Sequence, residues 1–150
     1  MVAGLLMVLP GLVVFAQPGR VLSTKDGLPQ SFISGIEQDE AGFIWIATRN
    51  GLARYDGQRF RVFQHHNADT ASIASNLIIA IRKFREQIWI EYESGEFDRF
   101  DPVSEKVDHV VAGKLIREGN FLRGGWLADA GGALWAIHEE KGLVRYDIDK

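Results

Sequence analysis

A short block built around a tryptophan occurs three times in this chain. Phe43-Ile44-Trp45-Ile46-Ala47-Thr48 returns as Gln87-Ile88-Trp89-Ile90-Glu91-Tyr92 and again as Ala133-Leu134-Trp135-Ala136-Ile137-His138, with the tryptophans 44 and then 46 residues apart. A second block follows each. Gly51-Leu52-Ala53-Arg54-Tyr55-Asp56 is echoed by Gly95 to Asp101, with one residue more, and by Gly142 to Asp147, so that the aromatic-Asp pairs lie 45 and 46 residues apart. A period of this size means one supersecondary unit stacked on copies of itself, each burying the face its neighbour cannot bury alone.

The unit reads as antiparallel strands. Asn50-Gly51 separates two apolar runs, a hairpin signal that rests on the tolerance of both residues for positive φ; Ser94-Gly95 and Lys141-Gly142 hold the matching turns. Asp39-Glu40-Ala41-Gly42 and Asp129-Ala130-Gly131-Gly132 form turns before the first and third Trp strands, where the second unit has the poorer turn chemistry of Phe84-Arg85-Glu86-Gln87. Arg59 to Phe63 and Lys106 to Val111 read as outer strands, the first alternating in polarity. The opening strands, Phe32 to Ile36, Leu77 to Ile81 and Trp126 to Ala128, are apolar runs that need cover on both faces. A helix over Ser72 to Glu86, suggested by Ile73, Leu77, Ile81 and Phe84, yields to the match with the other opening strands.

The fold expected is all-β: β-propeller blades of four antiparallel strands, each blade sandwiched between its neighbours. The blades run over approximately 31–63, 76–111 and 125–150, about two and three-quarters in number, an incomplete propeller. The period falls between those of WD and kelch repeats, and the Gly-His and Trp-Asp signature of the former is missing.

Composition agrees with a globular β protein: 46% hydrophobic, 25% charged and 11% aromatic residues, with 16 glycines. The formal net charge of -3 and the scatter of Lys and Arg argue against a nucleic-acid partner, which would need a basic face. Without cysteine there is no disulfide framework, thiolate nucleophile or Cys-ligated metal. Residues 1–16 read as a signal peptide: Leu5 to Phe15 is largely apolar, Ala16 offers a small residue at the cut site, and the stretch is short for a membrane span. Its n-region carries no Lys or Arg.

These residues resemble the two-component regulator propeller repeat, found in the exported sensors of hybrid histidine kinases and related signalling proteins. The family opens its first blade with Asp-Gly-Leu-Pro, here Asp26-Gly27-Leu28-Pro29-Gln30-Ser31. Its repeat core, Asp-x-x-Gly-x-Ile/Leu-Trp-Ile-Gly-Thr-x-x-Gly-Leu-x-x-Tyr-Asp, is matched by Asp39 to Asp56, with Ala47 for the usual Gly. Its Ser-x-x-Ser-Asn linker is matched by Ser72-Ile73-Ala74-Ser75-Asn76. The second copy departs from the pattern at Glu91-Tyr92, and the third at Ala136-Ile137-His138 with a longer turn from Glu139 to Lys141. The resemblance implies a periplasmic or otherwise extracytoplasmic sensor in a membrane-anchored parent with a cytoplasmic output module, often kinase plus receiver. Several members respond to oligosaccharides, so the resemblance implies a carbohydrate as one possible ligand, together with the remaining propeller blades or a homodimer partner to cover the open faces. A closed ring of seven units would need about 315 residues, so the chain is expected to be a fragment or a truncated product.

The other candidate residues favour recognition over catalysis. Trp45, Trp89 and Trp135 have apolar neighbours and read as blade core rather than a sugar-stacking ladder. His65-His66, with His109 and His138, lack ligand spacing, since adjacent residues point apart; they read as solvated loop residues, and neither a metal site nor a cofactor is expected. Asp39-Glu40, Asp56, Asp98, Asp101 and Asp147 recur with the repeat and read as turn-capping residues, not as the spaced pair that glycoside hydrolysis requires. Arg54, Arg99 and Arg145 share one slot and read as structural surface residues. No catalytic residue is assigned and no ligand contact is identified. The function expected is ligand sensing by a propeller segment of a two-component signalling protein; the alternatives are a structural or vestigial fragment and a propeller lyase or hydrolase.

Overall fold

The computed structural model describes residues 19–110, 121–131 and 133–147; the expected signal peptide lies outside them. Among these residues eleven strands make three antiparallel sheets, preceded by one 3-10 turn, Thr24–Asp26. The first is β1 (Ile33–Gln38), β2 (Ile44–Thr48), β3 (Gly51–Tyr55) and β4 (Phe60–Phe63), in spatial order β1-β2-β3-β4. The second is β5 (Ile78–Phe84), β6 (Gln87–Tyr92), β7 (Phe97–Phe100) and β8 (Val107–Val110), ordered the same way. The third holds β9 (Phe121–Ala128), β10 (Leu134–His138) and β11 (Gly142–Tyr146). The all-β, antiparallel, four-strand unit read from the repeat is therefore what forms, and Ser72 to Glu86 contains strand β5 rather than a helix.

Each sheet has a leading and a trailing face, fixed by which residues pair across strands. On the trailing face of the first sheet, Trp45 stands opposite Arg54, and Ala47 opposite Leu52. These meet Ile78, Ile81, Ile88, Ile90, Tyr92 and Phe100 from the leading face of the second sheet in one buried cluster, with Ile73 of the linker. The next seam repeats the arrangement: Trp89, Phe97 and Val110 pack on Trp126, Leu134 and Ala136. The opening strands lie side by side, β1 next to β5 and β5 next to β9. Gly35 makes the first approach possible, because a Cβ there would come within 2.9 Å of Ile81 Cγ1.

The two ends differ from the middle. On the leading face of the first sheet, Ile46 and Ala53 are covered by Leu28, which follows a 3-10 turn capped by the Ser23–Asp26 side-chain pair. Ile36 on the same face is 61% exposed, so among the described residues β1 lacks the two-sided cover that its apolar run anticipates. On the trailing face of the third sheet, Trp135 is only half-buried, and Ile137 and Leu143 are exposed. Trp45 and Trp89 are core, as their neighbours imply; Trp135 occupies the same slot without a described sheet over it.

Candidate functional site

The repeated turn explains the first set of acids. Asp39 accepts the backbone N–H of Phe43 at 2.9 Å through Oδ1 and the indole N–H of Trp45 at 2.7 Å through Oδ2. Asp129 does the same for Ala133 at 3.0 Å and Trp135 at 2.7 Å. These bonds, led by that of Trp135, hold the Asp129 carboxyl below its ordinary value. Asp56 takes the N–H groups of Gln58 and Arg59, and Asp101 those of Val103 and Ser104. Asp147 pairs with Arg145. The turn-capping reading fits Asp39, Asp56, Asp101 and Asp129, while Asp147 is held by an ion pair.

The three slot-sharing arginines do more than coat the surface. Arg54, Arg99 and Arg145 each stand directly across the ladder from the repeat's tryptophan. Each lays its guanidinium near that ring, at 5.8, 5.8 and 5.9 Å from the centroid. Arg54 also pairs with Glu105, at 3.1 Å, and Arg61 pairs with the same carboxylate. Glu105 holds φ of +56°, so a backbone conformation rare for a non-glycine residue aims an acid at two cations of the neighbouring sheet.

Asp98 departs from the turn reading. It lies within β7, fully buried, in the slot that Ala53 fills in the first sheet and Val144 in the third. Its Oδ2 accepts the Tyr92 hydroxyl at 2.6 Å and the Ala74 N–H at 2.9 Å; its Oδ1 lies 2.7 Å from His109 Nδ1. Tyr92 stands where the first unit has Thr48, and His109 stands where it has Val62. The second copy is therefore not a worn version of the first: three of its departures meet in one network on its leading face. Burial and the adjacent Asp98 carboxylate push the Tyr92 phenol far above its ordinary value. His109 is raised, chiefly by its bond to Asp98, against an opposing contribution from burial.

This network grips the linker between the first two sheets. Each residue of Ser72-Ile73-Ala74-Ser75-Asn76 has work there. Ser72 Oγ donates to Asp69 O and accepts from His66 N; Ile73 is buried; Ala74 N reaches Asp98. Ser75 Oγ accepts Leu77 N, and Asn76 Oδ1 accepts His65 N. The His65 ring bridges Ile73 O and Asn67 Oδ1, and His109 Nε2 lies 3.0 Å from Thr70 O. Linker and network line a cavity of about 290 Å³ that includes His66, Asp69, Thr70, Glu96, Asp98 and His109. The four histidines thus do not share one solvated role. His66 is exposed in the linker, His109 belongs to β8, and His138, buried at the end of β10, accepts the N–H groups of Glu140 and Lys141.

Two departures of the second copy face the other seam. Glu91 replaces Ala47 and, buried, accepts the indole N–H of Trp126 at 2.5 Å. Trp89 has no aspartate at its turn, and its indole nitrogen is buried without a hydrogen-bond partner among the described residues. A further cavity of about 520 Å³, at the opposite ends of the strands, includes Asp39, Glu40, Phe43, Arg54, Glu86 and Val103. Around the linker, Asp98, Tyr92 and both nitrogens of His109 are already engaged within the protein.

No protein-family model matches the chain. Over 49 residues it is 43% identical to histidine kinase P4 of Formosa agariphila, a match that takes in 33% of this chain and 4% of the kinase. The fold is that of an extracellular domain assigned to a hybrid two-component system of B. thetaiotaomicron. The superposition covers 86% of this chain and 19% of that domain, with a TM-score of 0.65 at 19% identity. A second extracellular domain of that organism, also assigned to a hybrid two-component system, overlaps more loosely: TM-score 0.43, 18% identity, 82% of this chain and 24% of the other. The chain thus spans a small part of each protein it matches. The short kinase match and the fold shared with the first of these domains agree with the family resemblance read from Asp26 to Pro29 and Asp39 to Asp56.

Proposed function

We propose that this chain is a segment of an extracytoplasmic β-propeller that senses a ligand for a two-component signalling protein of the hybrid histidine kinase type. The observation that carries this reading is a pairing of sequence and place. The Asp26-to-Pro29 motif resembles the family's opening signature, and in the structure Leu28 of that motif covers Ile46 and Ala53 on the leading face of the first sheet. The 19%-identical extracellular domain supplies the matching fold, and the short match to a histidine kinase supports the same parentage.

A ring of such sheets accounts for the exposed trailing face of the third. Trp135 and Arg145 repeat there the pair that the next sheet covers at both earlier seams. The segment works by recognition, with the chemistry of phosphoryl transfer left to other parts of a longer protein. An oligosaccharide is the ligand class the family resemblance favours.

Two measurements test this reading. Sequencing the gene beyond Lys150 is expected to reveal further Trp-centred repeats, an apolar span and a histidine-kinase core. A full-length parent reconstituted in membranes is expected to change its autophosphorylation rate with one member of an oligosaccharide panel. A parent with no kinase core, or one whose phosphorylation ignores every sugar while another ligand class shifts it, would overturn the assignment of output or ligand respectively.

A further inference from the structure

The bonds of His109 determine its protonation state. Asp98 Oδ1 and Thr70 O both accept hydrogen bonds, and they lie 2.7 and 3.0 Å from Nδ1 and Nε2. A neutral imidazole has one N–H and can serve one of them; the other contact would set a ring lone pair against an oxygen lone pair. Only the imidazolium makes both bonds.

The two bonds are unequal. The bond to Asp98 is charge-assisted and ends on a fully buried carboxylate already fixed by Tyr92 and Ala74. The bond to Thr70 ends on an exposed linker carbonyl. Loss of one proton therefore surrenders Thr70. Asp98 keeps its direct hold on Ala74 N, so the linker stays attached at its inner point and is freed at its outer one. Thr70 lies at the cavity wall, beside Asp69 and His66.

We infer that His109 is a proton-controlled clasp that holds the outer half of the linker between the first two sheets and opens the adjoining cavity when it loses its charge. The groups around the ring favour the charged form. Asp98 faces it from β7, with the Tyr92 hydroxyl from β6 on the same carboxylate. Asp108 precedes it on β8, itself paired with Arg99. Glu96 lines the cavity from the β6–β7 turn, and His65, His66 and Asp69 line it from the linker. The pKa of His109 is raised accordingly. A histidine raised in the folded state contributes stability that is complete below its unfolded value, about 6.5, and is lost as pH rises through the folded value. The clasp is closed in mildly acidic surroundings and opens on the alkaline side. This inference stands on the geometry alone and holds whatever signal the protein carries.

The test is an NMR titration of the His109 ring in the whole chain, with amide exchange followed across the same pH range and corrected for intrinsic base catalysis. The ring is expected to titrate above pH 6.5. The amides of residues 70–72 should exchange roughly tenfold faster above that transition, with Ala74 unchanged. His109→Gln, which carries no titrating proton, is expected to show the same 70–72 exchange at both ends of the range. A ring that titrates below 6.5, corrected exchange at 70–72 that stays flat through the ring's transition, or a folded Gln variant that keeps the wild-type pH response would each overturn the clasp. If the variant does not fold, the ring titration and exchange of the unaltered protein decide the matter.

Discussion

Trp45 donates its indole N–H to Asp39 at 2.7 Å, while Trp89, in the same slot of the next sheet, has its indole nitrogen buried without an acceptor among the described residues. The difference traces to the turn: Asp39 opens a turn closed by Gly42 N on Asp39 O, whereas β5 and β6 are joined through Arg85 and Glu86 with no aspartate. One repeat thus provides its own control for the worth of a single hydrogen bond.

Trp45→Phe and Trp89→Phe remove the same atoms from the same slot. The first also strips a charged acceptor of its donor, and the second removes a donor that had no partner. Trp45→Phe should be the more destabilising by roughly 2 kcal/mol. Urea unfolding followed by far-UV circular dichroism measures both; equal losses would mean that Trp89 finds a partner in solution.

Gly51 holds φ of +105°, and a Cβ there would sit 2.5 Å from Phe63 O. Two penalties, left-handed backbone and a clash with backbone oxygen, fall on one substitution. Gly51→Ala should cost about 3 kcal/mol, whereas Gly57→Ala, with an equally positive φ but open space around it, should cost about 1 kcal/mol. A comparison of denaturant midpoints checks the ranking.

Tyr92 is an acid whose pKa rises on folding. Above pH 10 the unfolded chain sheds this proton and the folded one keeps it, so stability falls as pH rises further. Ultraviolet difference absorbance should show one tyrosine that ionises only on unfolding, and Tyr92→Phe should flatten the alkaline limb of the stability curve.

Asp26, Asp56, Asp101 and Asp129 are depressed by hydrogen bonds at turns and caps. Their contribution is present above the unfolded value, about 3.9, and disappears as pH falls through the folded values. Asp129→Asn should therefore cost more stability at pH 6 than at pH 2, because the wild-type protein loses this contribution as its carboxyl takes up a proton. Thermal melts at the two pH values read this directly.

Most of the strand framework was open to a reader of the sequence because the unit is repeated: a turn guessed once is checked twice. The aspartates at turns and the core roles of Trp45 and Trp89 followed from that repetition. Asp98 did not, because its aromatic-Asp neighbourhood resembles a turn. Column-by-column comparison exposes it: the slot holds Ala53 in one copy and Val144 in another, so an acid there must be buried with partners. His109 against Val62 carries the same signal. The contacts of Ser72 to Asn76 lie beyond such reading, since they join a linker to side chains on strands far along the chain. The cover of an end face is equally illegible, because the local pattern of Ile36 or Trp135 is the same whether or not another sheet lies over it.

The Trp–Arg pair gives each sheet a direction: one side is shaped to be covered and the other to cover. Because both junctions between described sheets use this geometry, a unit can be duplicated or deleted without a new junction having to be invented. The number of units in such a chain is thus free to drift during evolution, while the specialised second unit, with its carboxylate network, stays a fixed point of reference among them.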